Sequence, residues 1–338
     1  MTMIKVSVIL PVYGVADYIE ACVKSLLAQT LEDVEFLFVD DHGPDDSIAI
    51  LQRTIEGHPR AGQFRVLTPE HNLGAGMARN FGIPEAQGEY ISFIDPDDTV
   101  EPDMLEVLYN KAKSLDADIC CCYMQKCFPD GSKGDLLINP HIEEGLIPHD
   151  ARAFVLTHYV SLFASMIYRR EMVLANDIRF PEDRAADDSF FVSCVWMKTR
   201  SVAYVDRPLY HYLIRPGSVT TTKQSDKYRK RLAVFGKLMQ YAKDHNVYEE
   251  YKNEIDYMYL KKGYLSSVAN YIRNSSRPQA STYREIYGEL LRQVPDYYGN
   301  LYYQGNKAMR LLIQLLRRCP MLATVALRAY IKKNNIIS

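Results

Sequence analysis

The first 125 residues alternate between short apolar runs and amphipathic stretches. Five runs rich in β-branched and aromatic side chains predict strands at residues 5–10, 34–39, 64–67, 90–94 and 119–124. Between them, apolar side chains recur at helical spacing, and Asp17 and Glu20 have the spacing of a capping box at the start of the first helix. Strand and helix in strict alternation predict an α/β fold with a mainly parallel, doubly wound sheet.

The pattern changes after about residue 222. Strand signals largely disappear, and tyrosine-rich, lysine-rich helical stretches continue to the end of the chain. We therefore expect two domains: an α/β catalytic domain over residues 1–222 and a helical C-terminal region over residues 223–338.

Composition and charge narrow the possible partners. The 338 residues are 47% apolar and 24% charged, with a net charge of −2, so no global charge excess indicates a nucleic-acid partner. The charge is unevenly distributed, because seven Lys or Arg and no Asp or Glu follow residue 300. Two interpretations of this basic segment stay open: it packs on the catalytic domain, or it binds the anionic inner face of a membrane.

The seven cysteines lack the regular spacing of a disulfide framework, and three of them are consecutive (Cys120, Cys121 and Cys122). They suit a buried strand in a reducing compartment. No signal peptide precedes the first strand, so we expect a cytoplasmic protein, with peripheral attachment to the inner membrane face as the alternative.

Acidic side chains follow two of the predicted strands. Asp40 and Asp41 come after the second strand, whereas Asp95, Asp97 and Asp98 come after the fourth. Parallel sheets bind ligands beyond the carboxyl ends of their strands. Three carboxylates in four residues repel one another, and a divalent cation would keep them ionised. We therefore predict that Asp97 and Asp98 bind Mn²⁺ or Mg²⁺; the alternative is that they lie in a solvated turn.

Phosphate-binding loops of the usual kinds are missing from the sequence. No G-x-G-x-x-G follows the first strand, and no G-x-x-x-x-G-K-[ST] loop occurs anywhere in the chain. A diphosphate would then be held through the metal rather than by a glycine-rich loop.

Four segments in one order resemble glycosyltransferase family 2. They are VSVILPVYGVADYIEACVKSLLAQT, VDDHGPDDS, NLGAGMARNFGI and GEYISFIDPDDTVEPDML. This resemblance covers about 220 residues and implies the GT-A fold, a Rossmann-type sheet flanked by helices, and an inverting transfer from a nucleotide sugar.

The resemblance also implies roles for individual residues. The donor-binding positions would be Pro11, Tyr13, Asp40, Asp41, Asn72, Gly74, Arg79, Asp95, Arg215 and Ser218. For Arg215 and Ser218, which lie in a Pro-Gly loop, the alternative is that they only belong to a turn. The last Asp of the Asp-x-Asp motif, Asp97, would bind the metal with Asp98 nearby.

The catalytic base is expected in a later acidic pair, Asp187-Asp188. The family usually has Glu where this chain has Asp187, so Asp188 is the preferred base and Asp187 the second candidate. The alternative is that the pair only caps the following helix. Two further departures from the family pattern are Gly14, where Asn is usual, and His42-Gly43, which replaces Gly-Ser or Cys-Ser.

The sequence thus predicts a metal-dependent inverting glycosyltransferase. The resemblance favours a UDP-sugar donor and a glycan or lipid-linked acceptor in surface polysaccharide synthesis. Two alternatives stay open here: a catalytically inactive nucleotide-sugar-binding protein and a sugar nucleotidyltransferase.

Overall fold

The computed structural model describes residues 3–183, 185–215 and 226–333 of the chain. The chain divides between Arg215 and Pro216 into two compact units. The first unit carries all ten strands, and the described part of the second is helical.

Ten strands form one sheet among the described residues of the first unit. They are β1 (Val6–Val12), β2 (Val34–Asp40), β3 (Phe64–Leu67), β4 (Tyr90–Phe93), β5 (Thr99–Val100), β6 (Ile119–Cys127), β7 (Lys133–Leu137), β8 (Gly145–Leu146), β9 (Met166–Arg169) and β10 (Ser201–Leu213). Eight of them run in the order β3-β2-β1-β4-β9-β6-β10-β5, while β7 pairs with β6 and β8 with β10.

The sheet has a parallel half and a mixed half. Strands β3, β2, β1 and β4 are all parallel, as the strand–helix alternation predicted. Beyond them β9 is antiparallel to both β4 and β6, and β10 returns parallel to β6. The predicted α/β, GT-A-like fold is confirmed, and its parallel half places the carboxyl ends of β1, β2 and β4 along one edge.

Seven α-helices accompany these strands within residues 3–183 and 185–215. They are α1 (Ile19–Leu27), α2 (Ser47–Ile55), α3 (Ala75–Gly82), α4 (Met104–Ser114), α5 (His149–His158), α6 (Arg170–Ala175) and α7 (Asp187–Lys198). The predicted inward face of α1 is buried at Ile19, Cys22, Val23 and Leu26. The predicted capping box is wrong, because Tyr18 holds the N-cap position and no side chain caps the helix.

The second unit contains seven further helices among its described residues. They are α8 (Lys227–Asp244), α9 (Lys252–Met258), α10 (Ser266–Asn274), α11 (Ala280–Gln293), α12 (Leu301–Gly305), α13 (Lys307–Arg318) and α14 (Pro320–Lys333), with a π-helical segment, Tyr259–Leu265, joining α9 to α10. In the described ranges, every helix is too short or too polar to cross a bilayer.

Candidate active site

Three parallel strands end side by side at one edge of the sheet. Val12 of β1 pairs with Asp40 of β2, and the Asp41 N–H donates to the Val12 carbonyl at 3.0 Å. On the other side of β1, Ile9 pairs with Phe93, two residues before Asp95. Pro11 is buried within β1, whereas the Tyr13 side chain is 53% exposed just beyond it. The acidic motifs after β2 and β4 are therefore neighbours.

Asp41 anchors the loop that precedes α3. Its buried carboxylate accepts hydrogen bonds from the Leu73 N–H at 2.6 Å, the Gly74 N–H at 2.8 Å and Asn72 Nδ2 at 3.1 Å. Gly74 has φ +83°, a conformation in which a side chain would be strained. Asp40 is less buried and accepts only a 3.2 Å bond from the His42 N–H, as far as the described residues show. Of this pair, Asp40 is the one with carboxylate surface left for a ligand.

Arg79 is a buried cation at the centre of the acidic groups. It lies on α3, forms an ion pair with Asp95, and has its guanidinium carbon 4.5 Å from the Phe163 ring centroid and 5.1 Å from that of Phe180. Asp187 and Asp188 also raise the pKa of Arg79, although burial opposes them. One guanidinium thus compensates carboxylates from two distant segments of the chain.

The carboxylates of the Asp-x-Asp-Asp motif have different partners. Asp98 is buried, and its two oxygens accept bonds from Tyr210 Oη at 2.5 Å and the Leu213 N–H at 2.7 Å. Asp97 accepts a 2.7 Å bond from Arg215 Nε. Burial and the neighbouring Asp95 raise the pKa of both groups. Asp98 is therefore tied to β10, while Asp97 is held by the side chain of Arg215 and by its own backbone N–H.

Asp187 and Asp188 begin α7. The N-cap residue is Ala186, with φ +66°, so neither aspartate holds the N-cap position, although the Asp187 carboxylate accepts hydrogen bonds from the N–H groups of Asp187 and Asp188 in the first turn. Gly76 packs against Asp187: a Cβ on this glycine would lie 3.2 Å from Asp187 Oδ2. Burial raises the pKa of both carboxyls, Asp187 raises that of Asp188 further, and Arg79 lowers both.

These contacts bring most of the predicted site residues together. Asp95, Asp97, Asp98, Asp187 and Asp188, with Arg79 and Arg215, form what we call the β4 cluster. Asp40, Asp41, Asn72, Leu73 and Gly74 form the β2 cluster. Ser218 lies outside the described residues.

Sequence reasoning missed three contributors to the β4 cluster. Tyr210 makes two hydrogen bonds to the Asp-x-Asp-Asp motif: its Oη donates to Asp98 and accepts a 3.1 Å bond from the Asp95 N–H. Phe163 and Phe180 enclose Arg79. The sequence offered only the tyrosines on either side of His211 as a signal, and no periodicity connects them with Asp98.

A preformed metal cage is not part of this site. Within residues 3–183, 185–215 and 226–333, no three His, Cys, Asp or Glu side chains converge so as to hold an ion. A cation here would have only a few protein ligands and would need further oxygen atoms from a bound molecule.

Comparison with known proteins identifies the family. The sequence model described as Glycosyl transferase family 2 matches residues 7–174. EpsH of Bacillus subtilis (strain 168), which carries the name of a glycosyltransferase, is 32% identical over 254 residues, or 74% of this chain and 73% of EpsH. The chain belongs to glycosyltransferase family 2.

Solved structures share the fold of this family 2 glycosyltransferase. Residues 1–349 of TarS from S. aureus, crystallised with UDP, superpose with a TM-score of 0.66 at 19% identity, covering 86% of this chain and 81% of that one. A mannosyltransferase from Pyrobaculum calidifontis, in complex with GDP-Man and Mn²⁺, gives a TM-score of 0.50 at 16% identity, with 88% of both chains covered. Membership of family 2 sets aside the nucleotidyltransferase alternative.

Proposed function

We propose that this glycosyltransferase moves a sugar from a UDP-sugar to a hydroxyl of a glycan or lipid-linked acceptor, with inversion at the anomeric carbon. The observation that carries the proposal is the β4 cluster, in which three carboxylates from two segments, those of Asp95, Asp187 and Asp188, act on the buried Arg79, and Asp97 and Asp98 lie beside Asp95. A lipid-linked acceptor in surface polysaccharide synthesis would bring the enzyme to the inner face of the membrane. The UDP complex of TarS, which shares the fold, supports the choice of nucleotide.

The residues present fit a divalent cation. Asp97 is a hard oxygen ligand whose pKa is raised by burial and by Asp95, and it is compensated mainly by the Arg215 side chain, with a further hydrogen bond from its own backbone N–H. Asp97 would hold Mn²⁺ or Mg²⁺; Asp98, bonded to Tyr210 and Leu213, would orient the motif and lie close to the ion. When bound, the cation would offset the charge of the departing nucleoside diphosphate.

The protein's own groups account for the remaining steps. Asp188 accepts the proton of the acceptor hydroxyl while that oxygen forms a bond to the anomeric carbon and the bond from this carbon to the phosphate oxygen breaks. The electron pair of the broken bond leaves with the nucleoside diphosphate. Because burial raises the pKa of Asp188, its carboxylate is a stronger base than an exposed one.

Arg79 would stabilise the ionised carboxylates, and Arg215 would help to position the donor. Arg79 lowers the pKa values of Asp187 and Asp188, which favours their ionised forms. Arg215 can make paired hydrogen bonds to the donor diphosphate once Asp97 has the cation as its partner. The donor nucleoside would lie toward the β2 cluster, against Asp40 and the exposed ring of Tyr13.

Donor hydrolysis in the absence of acceptor tests the proposal. UDP release from a panel of UDP-sugars should require Mn²⁺ or Mg²⁺. The Asp97→Asn variant should lose metal-dependent donor binding, whereas the matched Asp135→Asn variant, at an exposed position of β7, should keep it. Donor binding without any turnover under all metal conditions would favour the inactive nucleotide-sugar binder instead.

A further inference from the structure

The last helix leaves an apolar face in solvent. Met321, Leu322 and Val325 are 51%, 61% and 66% exposed. The opposite face of α14 is already packed, since Ala323 and Thr324 are buried and the Thr324 hydroxyl is hydrogen-bonded to that of Tyr283. The exposed side chains are therefore not the core-facing side of a displaced helix.

The preceding helix adds a cationic stripe. On α13, Met309, Ile313 and Leu316 are buried. The opposite face, at a spacing of three to four residues, carries the exposed side chains of Lys307, Leu311, Gln314 and Arg318. Leu311 is 58% exposed. Helices α13 and α14 pack against each other, which brings the two outer faces into one part of the second unit.

Charge decides which kind of partner suits this surface. Beyond residue 300 the sequence has seven Lys or Arg and no Asp or Glu, and two of these cations, Lys307 and Arg318, lie exposed on the outer face of α13. A second copy of the chain would oppose these cations with its own, whereas an anionic bilayer complements them. Lys and Arg side chains near an anionic leaflet are attracted to its phosphates, and exposed apolar side chains strengthen the binding by entering the acyl boundary.

We propose that the outer faces of α13 and α14 form a lipid-binding surface, consisting of Lys307, Leu311, Arg318, Met321, Leu322 and Val325. The two helices lie flat on an anionic membrane, with the apolar side chains between the lipid headgroups and the cations at the level of the phosphates. This inference rests on the second unit alone and does not depend on the proposed transfer reaction.

Vesicle sedimentation with the full chain tests it. The protein should pellet with vesicles of phosphatidylcholine mixed with phosphatidylglycerol, but not with phosphatidylcholine alone, and salt should weaken the binding. The double variant Leu322→Ser/Val325→Ser should bind about tenfold more weakly because it removes apolar surface from the membrane boundary. Arg318→Glu should weaken binding by a similar factor.

The matched control is Leu146→Ser, which removes an 81% exposed leucine from β8 in the first unit and should leave vesicle binding unchanged. Circular dichroism checks that each variant is folded, and UDP binding by the same preparations reports separately on the active site. Absence of vesicle binding, or equal binding by all variants, would refute the lipid-binding surface. A dimer in sedimentation velocity that the Leu322→Ser/Val325→Ser change dissociates would assign this face to a second copy of the chain instead.

Discussion

The β2 cluster and the β4 cluster both contain aspartates at strand ends, but the negative charge is compensated by different groups in the two clusters. Asp41 in the β2 cluster is buried and accepts from two backbone amides and an asparagine. In the β4 cluster Asp97 and Asp188 are surrounded by other carboxylates, and two arginines supply the compensation. A buried carboxylate that backbone amides satisfy holds structure together, while one compensated by a movable or shared cation can exchange that partner for a ligand.

The largest expected effect is the loss of turnover in Asp188→Asn. The amide cannot accept the acceptor's proton, so kcat should fall by about 10²–10⁴-fold. The affinity for the UDP-sugar should change little, because the donor contacts assigned above come from other residues. Initial rates with saturating donor, together with calorimetric donor binding, measure the two quantities.

The matched control for this variant is Asp150→Asn, at a fully exposed position in the first turn of α5. It should retain normal rates. Full activity in Asp188→Asn would show that the base lies elsewhere and would break the contrast between the two clusters.

Asp41→Asn should reduce stability rather than chemistry. The substitution places an NH₂ group where two amides and Asn72 now donate, so at least one donor loses its acceptor. We expect the free energy of unfolding to fall by about 3 kcal/mol. Urea denaturation followed by circular dichroism measures this free energy.

Asp40→Asn, which affects a single 3.2 Å bond from the His42 N–H, should cost less than about 1 kcal/mol and serves as the comparison. Equal losses in both variants would contradict the structural role given to Asp41.

Arg215→Gln should change the affinity for metal and for donor in opposite directions. Arg215 now neutralises Asp97 at 2.7 Å, and its guanidinium carbon lies 4.6 Å from the Tyr18 ring centroid. Without this competing cation, the donor-free enzyme should bind Mn²⁺ about three- to tenfold more tightly. Donor affinity should decrease, because a diphosphate contact is lost. Electron paramagnetic resonance of free Mn²⁺ and calorimetry with UDP measure the two affinities. Arg215→Lys, which keeps the charge, should lie between wild type and Arg215→Gln; weaker Mn²⁺ binding in Arg215→Gln would argue against competition at Asp97.

The two clusters also differ in how far the sequence predicts them. Because Asp41, Asp95 and Asp97 follow predicted strands, the sequence predicts that they lie at one edge of the sheet, where parallel strands bring their carboxyl ends together. The partners of these groups could not be predicted. Tyr210 meets Asp98 across 112 residues of chain, and this pairing depends on β10 running beside β6 and β5.

The same limit applies to the mixed half of the sheet and to the environment of Arg79. The antiparallel strand β9 enters between β4 and β6 after the alternation of strand and helix has ended, so no local pattern marks its position. The positions of the Phe163 and Phe180 rings beside Arg79 depend on how this strand and its flanking loops fold. The proposed roles of the predicted site residues remain predictions that the variants above test.

The smallest expected effect is a displacement of the pH–rate profile. The base must be ionised to act, so activity decreases as the pH falls through the pKa of Asp188. Since burial and Asp187 raise this pKa, the acid limb of kcat/KM should lie above the ordinary aspartate value of about 3.9. In Asp187→Asn the neighbouring negative charge is gone, which lowers the pKa of Asp188 and moves the acid limb to lower pH, by about one unit or less. Asp135→Asn, with the same change of charge at an exposed position, should leave the profile in place. An acid limb that moves to higher pH in Asp187→Asn would contradict repulsion between the two carboxylates, whereas complete loss of turnover in that variant would assign the base to Asp187.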